Sequence, residues 1–408
     1  MRTTTNNQRS RQSLAIRSEC IDINLFAGSG GMAIGLSEGG FSPTHFFELD
    51  SFCCETLRRN IQSKRPTLVG TVHEGDIRKV DWSPFVGKVR LLAGGVPCQP
   101  FSRAGKHRAA RDRRNLFPEI FRAIREVRPA AVLIENVRGL LRDGFQPYFE
   151  YILRQLQVPS IESKHGESWR DHDQRIRRHQ CSFDYRPEYH VSWRLLDAAD
   201  YGVPQNRHRV FIVATRIDLP IFKFPNPTHS RITLLRTQLS GEYWRRHDLK
   251  RPRKINPTNN GQAPLELDDD RLPWVTARDA FLGLAEPSSR ESEKCFNHWV
   301  IPGARVYDGH SGSDLDWPSK TIKAGVHGVP GGENTLVDEN GKYRYFTLRE
   351  TARLQAFPDA HLFTGARIHV TRQIGNAVPC RLAELIGRTL INAIDSNGAK
   401  TSEGRKKR

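Results

Sequence analysis

One cysteine of this chain lies where a nucleophile would be expected. Cys98 stands between Pro97 and Pro100 in a glycine-rich segment, directly after an apolar run at residues 89–93 that predicts a strand. The prolines restrict the backbone and keep the segment out of a regular helix or sheet ladder. A thiol at the carboxyl end of a strand is well placed to react with a bound ligand. The segment therefore predicts a reactive cysteine, with a buried structural cysteine as the alternative.

A glycine-rich turn between the first predicted strand and a helix carries a second chemical signal. Gly28, Gly30 and Ala33 match the dinucleotide-binding fingerprint, and Glu48 follows at the end of the next predicted strand. An acidic side chain at that position is able to hold ribose hydroxyls. The pattern therefore indicates a cofactor that contains adenosine.

Two further residues favour a cofactor without a pyrophosphate. Phe26, directly before the glycines, offers a flat apolar surface, and Asp76 follows the third predicted strand, where it could accept from an adenine amino group. A cofactor without a pyrophosphate does not need a helix N-terminus aimed at phosphate. A nicotinamide-dependent dehydrogenase stays an alternative at this point, as does a glycine turn that serves packing alone.

The charge of the chain predicts a polyanionic partner. The 408 residues carry a formal net charge of +18, which favours nucleic acid over an anionic membrane surface. No apolar run approaches the length of a membrane span, and the polar, basic N-terminus lacks the apolar core of a secretory signal. We therefore expect a cytoplasmic protein.

The cysteines indicate free thiols rather than a disulfide framework. There are seven of them, scattered and without a Cys-x-x-Cys pair, which is typical of a reducing compartment. The one group that suggests a metal comprises His165, His172, His179, Cys181 and His190. Because their spacing matches no familiar zinc template, we predict no metal and interpret residues 158–187 as an irregular polar insertion.

Apolar strands alternate with amphipathic helices in the first third of the chain. Strands are predicted at residues 21–26, 45–48, 68–72, 89–93 and 131–134, and helices from about residue 32 and at residues 51–62 and 116–127. This alternation predicts a parallel sheet covered by helices. Later strands are predicted at residues 189–196 and 209–214, and later helices at residues 347–355 and 381–394.

Changes in composition and pattern along the sequence divide the chain into five parts. They are a disordered basic arm (1–18), a catalytic and cofactor domain (19–215), an irregular region of scattered prolines, charges and tryptophans (216–345), a return segment that completes the first domain (346–395) and a disordered basic tail (396–408).

Further motifs lie at the ends of the later predicted strands and before the last helix. They are Glu135-Asn136-Val137, Gln205-Asn206-Arg207-His208-Arg209, Leu348-Arg349-Glu350-Thr351-Ala352-Arg353-Leu354-Gln355 and Gly375-Asn376-Ala377-Val378-Pro379. Together with the glycine turn and the cysteine segment, and in the same order, they resemble the cytosine-5 DNA methyltransferase family of the bacterial restriction-modification type. Residues 216–345 match none of the shared motifs, so the resemblance implies that they form the variable target-recognition domain.

The resemblance also implies the fold and the cofactor. The expected fold is α/β, a class I S-adenosylmethionine-dependent methyltransferase with a Rossmann-like, mostly parallel seven-stranded sheet and a smaller, irregular target-recognition domain. The cofactor is S-adenosyl-L-methionine. The residues expected to bind it are Phe26, Gly28, Gly30, Gly31, Glu48, Asp76, Ile77, Pro97, Asn376 and Val378.

The resemblance gives Cys98 and three polar residues roles in the chemical step. Carbon 5 of cytosine is too poor a nucleophile to attack a methyl group unaided, and a thiolate that adds at carbon 6 activates it. Cys98 would be this nucleophile, and Glu135 would protonate or hydrogen-bond ring nitrogen 3. Arg209, helped by Arg207, would hold the base oxygen and the carboxylate. Because the base must leave the helical stack, base flipping is implied.

Duplex DNA is the partner that the resemblance implies. Ser102, Arg103 and Lys106 lie in a basic loop after the cysteine, where they are expected to contact the DNA backbone. We further expect a monomer associated with the nucleoid through its DNA and a functional pairing with a restriction endonuclease. A tRNA cytosine-5 methyltransferase of the same family and, more remotely, an NAD-dependent oxidoreductase are the alternatives.

Overall fold

The computed structural model describes most of the chain. The described residues are 20–64, 66–97, 115–253, 255, 269–304, 312–325, 334–337 and 341–403, with side chains up to residue 395. The predicted nucleophile Cys98 and the predicted DNA contacts Ser102, Arg103 and Lys106 lie outside these residues, as does the predicted arm.

Seven strands form the central sheet. They are β1 (Ile21–Leu25), β2 (Pro43–Glu48), β3 (Thr71–Glu74), β4 (Val89–Gly95), β5 (Ala131–Val137), β6 (Tyr189–Asp197) and β7 (His208–Arg216). Their order across the sheet is β3-β2-β1-β4-β5-β7-β6. Only β7 runs antiparallel to its neighbours, β5 and β6. This arrangement confirms the predicted mostly parallel, seven-stranded α/β sheet.

Helices and short strands complete the described structure. The helices are α1 (Gly31–Glu38), α2 (Ser51–Ile61), α3 (Phe117–Val127), α4 (Gln146–Gln157), α5 (Trp169–Gln180), α6 (Arg231–Ser240), α7 (Glu242–Arg246), α8 (Ala277–Phe281), α9 (Leu348–Leu354), α10 (Arg367–Asn376) and α11 (Cys380–Glu403). The short strands are β8 (His229–Ser230), β9 (Leu272–Pro273), β10 (Ser313–Asp314), β11 (Thr335–Val337) and β12 (Tyr343–Tyr345). Within the described residues, no helix combines the length and the apolar character that crossing a membrane requires.

The sheet is buried on both faces because successive side chains of a strand point in opposite directions. On β4, Leu92 packs into the core under α3 and α4, whereas Leu91 and Ala93 pack into the core under α1 and α11. A strand covered on both sides needs a continuous apolar run rather than alternation. The run at residues 89–93 meets that requirement.

The last helix packs against the first at very short range. A Cβ added at Gly35 of α1 would lie 2.1 Å from the Cys380 carbonyl oxygen and 2.6 Å from the Ala383 Cβ. Glycine at this position therefore lets α11 lie directly on α1, beside the glycine turn.

The sequence predicted that residues 158–187 are irregular. This prediction is wrong, because the segment contains the helix α5. Ser168 caps this helix by accepting a hydrogen bond from the Asp171 N–H, and Arg154 of α4 forms an ion pair with Asp173 at 2.7 Å. Besides the ion pair and the cap, only Ile176 and Trp169 of α5 pack into the apolar core. Two apolar residues are too few for the periodicity on which the prediction relied.

His172 of the suspected metal group is used inside the protein. The side chain is buried, its Nε2 donates to the Ile161 carbonyl at 2.9 Å, and its Nδ1 accepts from the Tyr151 hydroxyl at 3.0 Å. Both ring nitrogens are therefore engaged in hydrogen bonds that position α5 against α4.

Three further element predictions differ from the structure. The last helix, α11, continues to Glu403, whereas the sequence predicted a helix at residues 381–394 and a disordered tail from residue 396. The third strand lies at Thr71–Glu74 rather than at residues 68–72, because Leu68 is a core residue that packs against the glycine turn. Residues 216–345 also contain a ten-residue helix, α6, where no periodic segment was expected. Its buried Leu234 joins Tyr243, Trp244 and Trp317 in a small separate core.

Candidate active site

A cavity of about 660 Å³ opens at the carboxyl edge of the sheet. The ends of β1, β2, β4 and β5 and the helix α10 surround it. Twelve of the predicted site residues line it: Phe26, Gly28, Gly31, Glu48, Asp76, Ile77, Pro97, Glu135, Arg207, Arg209, Asn376 and Val378. Gly30 lies next to the lining residues as the N-terminal cap of α1.

The glycine turn is locked by the carboxylate of Glu48. One oxygen, Oε2, accepts from the Gly28 N–H at 2.7 Å, and Oε1 accepts from the N–H groups of Leu49 and Asp50, both at 2.8 Å. Gly28 has a φ of 55° and Gly30 a φ of 91°, values that L side chains adopt only with strain. The conformation of the turn explains both glycines and fixes Glu48 at the cavity wall.

Asp76 is held at the cavity by its neighbour Arg78. The Arg78 Nε donates to both carboxylate oxygens, at 2.9 and 3.0 Å, and the Arg78 N–H donates at 3.0 Å. The side-chain hydrogen bond from Arg78 is the main reason that the pKa of Asp76 is lowered. Sequence reasoning missed Arg78, although its position two residues after the aspartate was visible.

Glu135 is buried and forms an ion pair with the partly buried Arg209. Arg209 is paired with Val137 across the β5–β7 ladder, so that Glu135, two residues earlier, lies on the same face of the sheet. The Arg209 Nε lies 2.9 Å from the Glu135 Oε1. A Cβ at Gly95 would lie 3.1 Å from the Glu135 Oε2, so the glycine leaves room for the carboxylate.

Burial controls the proton affinity of Glu135. Loss of solvent raises the pKa of this carboxyl group above its ordinary value, and the guanidinium groups of Arg209 and Arg207 lower it in part. A carboxyl group with a raised pKa keeps its proton to higher pH and can act as a general acid.

Asn136 fixes the strand end that leads toward Cys98. Its Nδ2 donates to the Val96 carbonyl at 3.3 Å, and the Val96 N–H donates to the Glu135 carbonyl at 3.2 Å. The chain is therefore held two residues before Cys98, directly beside Glu135.

Arg207 lies at the cavity, and its guanidinium forms hydrogen bonds to the protein backbone. It is buried, and its nitrogens donate to the carbonyls of Gly375 at 2.8 Å, Ala377 at 3.0 Å and Ile322 at 3.1 Å. These bonds position backbone segments around the cavity, and the same guanidinium lowers the pKa of Glu135 in part. The predicted help of Arg207 in holding the base stays a prediction.

Asn24 is a lining residue that sequence reasoning missed. It is buried in β1, and its Nδ2 has no hydrogen-bond partner among the described residues. A buried amide without a partner is costly, so a ligand with an acceptor at this point would satisfy it. The signal in the sequence was a polar residue inside an otherwise apolar strand.

The lining residues fit S-adenosylmethionine. Phe26 and Ile77 offer apolar surface, Glu48 and Asp76 offer acceptors, and Asn24 offers an unpaired donor. Phe26, Ile77 and Asp76 would meet the adenine, Glu48 the ribose hydroxyls and Asn24 the amino acid carboxylate.

A family model matches most of the chain. The family is described as C-5 cytosine-specific DNA methylase, and the match covers residues 21–158 and 182–392. The unmatched gap contains most of the insertion with α5, which indicates that this helix lies outside the part shared by the family.

Curated relatives match nearly the whole chain. The Type II methyltransferase M.NgoMIV of Neisseria gonorrhoeae is 33% identical over 375 residues, which cover 91% of this chain and 97% of that protein. The Type II methyltransferase M.Eco47II of Escherichia coli is 32% identical over 381 residues, covering 91% and 79%.

Solved structures share the fold. The S. pombe Dnmt2 methyltransferase superposes with a TM-score of 0.52 at 17% identity and covers 92% of this chain and 98% of that chain. The Entamoeba histolytica methyltransferase EhMeth gives a TM-score of 0.52 at 13% identity, with 93% and 98% covered. These likenesses support the class I methyltransferase fold.

Proposed function

We propose that the cavity of this chain delivers a methyl group to a cytosine flipped out of one duplex DNA sequence. The basis is that the chain belongs to the C-5 cytosine-specific DNA methylase family. The enzyme is a DNA (cytosine-5-)-methyltransferase, and S-adenosylmethionine is its methyl donor. The observation that supports the site assignment is the ion pair between the buried Glu135 and Arg209, which lies on the cavity beside the strand end leading to Cys98.

Five residues would hold the cofactor, which supplies an electrophilic methyl group when bound. Phe26 and Ile77 would contact the adenine, Asp76 would accept from its amino group, and Glu48 would accept from the ribose. The Asn24 Nδ2, which has no hydrogen-bond partner among the described residues, would donate to the amino acid carboxylate of the cofactor.

The chemical step would use Cys98, Glu135 and Arg209. The Cys98 thiolate adds to carbon 6 while Glu135 donates its proton to ring nitrogen 3, so that carbon 5 becomes nucleophilic. Arg209 holds the carboxyl group and the base oxygen through its fork of donors. Carbon 5 would then take the methyl group from the cofactor, which is left as S-adenosylhomocysteine. A base then removes the carbon 5 proton, the electron pair restores the double bond between carbons 5 and 6, and the Cys98 sulfur leaves as a thiolate. Glu135 takes back its proton from ring nitrogen 3.

Duplex DNA is favoured over the two alternatives. The family description names DNA, and the relatives at about one-third identity are Type II methyltransferases. A nicotinamide enzyme would not need the buried carboxyl–guanidinium pair next to a cysteine segment, and a tRNA enzyme would not need so large a region as residues 216–345.

We infer the remaining features from the same family. Residues 216–345 would read the target sequence, with Ser102, Arg103 and Lys106 on the DNA backbone. The enzyme would act as a monomer in the cytoplasm, associated with the nucleoid, as the modification partner of a restriction endonuclease.

Bisulfite sequencing of DNA from cells that express the chain tests the proposal. We expect one short sequence to carry methylated cytosine with the wild type and with the control variant Cys181→Ala, whose cysteine is exposed. We expect no methylation with Cys98→Ala. Methylation by Cys98→Ala would contradict the assignment of Cys98 as the nucleophile. Methyl transfer to tRNA but not to DNA would contradict the assignment of duplex DNA as the substrate.

A further inference from the structure

We propose that three buried side chains, Gln205, Arg207 and Gln355, couple target recognition to cofactor binding. We call them the polar cluster; each is at most 1% exposed. The proposal rests on the function proposed above, since it takes the cavity as the cofactor site and residues 216–345 as the region that meets DNA.

The polar cluster holds Ile322 of the target-recognition region by both of its backbone groups. The Ile322 N–H donates to the Gln205 Oε1 at 2.9 Å, and the Arg207 Nη1 donates to the Ile322 carbonyl at 3.1 Å. Side chains therefore make the two bonds that a neighbouring strand would supply. Next to it, the Thr321 hydroxyl donates to the Asn206 carbonyl at 2.6 Å.

The same cluster holds the end of α10, which forms one wall of the cavity. Gln355 Nε2 donates to the Ile374 carbonyl at 2.7 Å, and Arg207 Nη2 donates to the carbonyls of Gly375 and Ala377. The last carbonyls of a helix lack partners within the helix, and a cation is favoured there. Gly375 and Ala377 line the cavity, so the cluster fixes the wall itself.

Direct contacts close the connection between the two segments. Gln205 Nε2 donates to Gln355 Oε1 at 3.1 Å, and a Cβ at Gly375 would lie only 2.5 Å from the Ala324 nitrogen. The segment around Ile322 cannot shift without breaking buried hydrogen bonds to the cavity wall, which is costly when no water replaces them.

This connection joins two sites through one shared element, as energetic coupling requires. DNA bound by the recognition region would fix the segment around Ile322, and the cofactor would fix the end of α10. Each ligand would then favour the arrangement that the other needs. We expect S-adenosylhomocysteine to tighten duplex binding at least about fivefold and the duplex to tighten S-adenosylhomocysteine binding equally.

Calorimetric titration of the full chain tests the coupling. S-adenosylhomocysteine is titrated with and without a duplex that carries the sequence found by bisulfite sequencing, into the wild type and Gln355→Met. Methionine keeps the length of the side chain but removes its hydrogen bonds. We expect the duplex to change the S-adenosylhomocysteine Kd of the variant by less than about twofold, since the coupling path is broken.

Gln155→Met is the matched control. Gln155 is equally buried, and its Nε2 donates to the carbonyls of Val158 and Ile161, away from the cavity. The control should lose stability and keep the wild-type coupling. If Gln355→Met does not fold, Thr321→Val removes a single bond to the same segment and should weaken the coupling by a smaller factor.

The outcomes separate the inference from the proposed function. A wild type that binds neither S-adenosylhomocysteine nor duplex DNA contradicts the proposed function. A wild type that binds both without coupling, or a Gln355→Met variant with wild-type coupling, overturns the role of the polar cluster alone. Equal loss of coupling in Gln155→Met would show an effect of stability and would also overturn it.

Discussion

The carboxyl group of Glu135 is subject to two opposing influences. Burial raises its pKa, and the adjacent Arg209 lowers it in part. Because the pKa is raised, the protonated form persists to higher pH than in an exposed glutamate and is lost as the pH rises through the shifted pKa. A proton donor for ring nitrogen 3 must be in this form.

Glu135→Gln should therefore slow methyl transfer about 10²- to 10⁴-fold, because the amide cannot give up a proton. The rate of the wild type should fall as the pH rises and Glu135 loses its proton. The rate of the variant should not show this fall. Transfer of a tritiated methyl group to duplex DNA over a pH series measures both effects.

Glu126→Gln is the control for this substitution. Glu126 is an exposed residue of α3 that pairs with Arg122 at 3.1 Å, so its loss should leave the pH profile unchanged. The S-adenosylhomocysteine Kd of Glu135→Gln should also stay within about twofold of the wild type, since a catalytic acid acts on the base and not on the cofactor. A pH-dependent decline that survives in Glu135→Gln would assign the proton to another group.

At the scale of elements, the contact between α1 and α11 depends on Gly35. Alanine is the better helix former by about 1 kcal/mol, but its Cβ would overlap the Cys380 carbonyl oxygen. Gly35→Ala should therefore destabilise the protein by about 1–3 kcal/mol, the usual cost of overpacking. Urea unfolding followed by circular dichroism measures this difference.

Gly144→Ala provides the matched comparison. A Cβ at Gly144 would meet nothing within 4 Å, so the same chemical change there should alter the free energy of unfolding by less than about 1 kcal/mol. If Gly35→Ala changed the free energy of unfolding as little as Gly144→Ala, α11 would be able to move away from α1 at little cost. The close contact would then not be what holds the return segment in place.

The elements also show what the sequence could predict and what it could not. Strands buried on both faces were recognisable from their apolar runs, and Glu48, Asp76 and Glu135 from their positions at strand ends, because parallel strands collect such residues at one edge. The helix α5 was missed since Arg154 and Asp173 hold it across a long separation in sequence. The backbone-positioning role of Arg207 was not visible in the sequence, because its carbonyl partners come from distant segments.

At the scale of the whole molecule, the position of each positive charge matters more than the sum of +18. Many arginines of the described residues are neutralised by ion pairs, such as Arg154 with Asp173 and Arg353 with Asp359. Exposed arginines without a partner are therefore the groups available to DNA phosphates. Arg138 and Arg128 are both of this kind, at opposite ends of β5.

Arg138 begins the turn after β5 at the edge where the cavity opens, and Arg128 ends α3 at the other edge. Both side chains are exposed and make no ion pair within the part of the chain that the structure describes.

If DNA lies across the cavity, Arg138→Gln should remove one phosphate contact and make the slope of log K against log salt less negative by about 0.9. Arg128→Gln removes the same charge from the whole molecule and should leave the slope unchanged. Fluorescence anisotropy of a labelled duplex over a salt series measures both slopes, and equal changes in the two variants would mean that DNA responds to net charge rather than to a surface at the cavity edge.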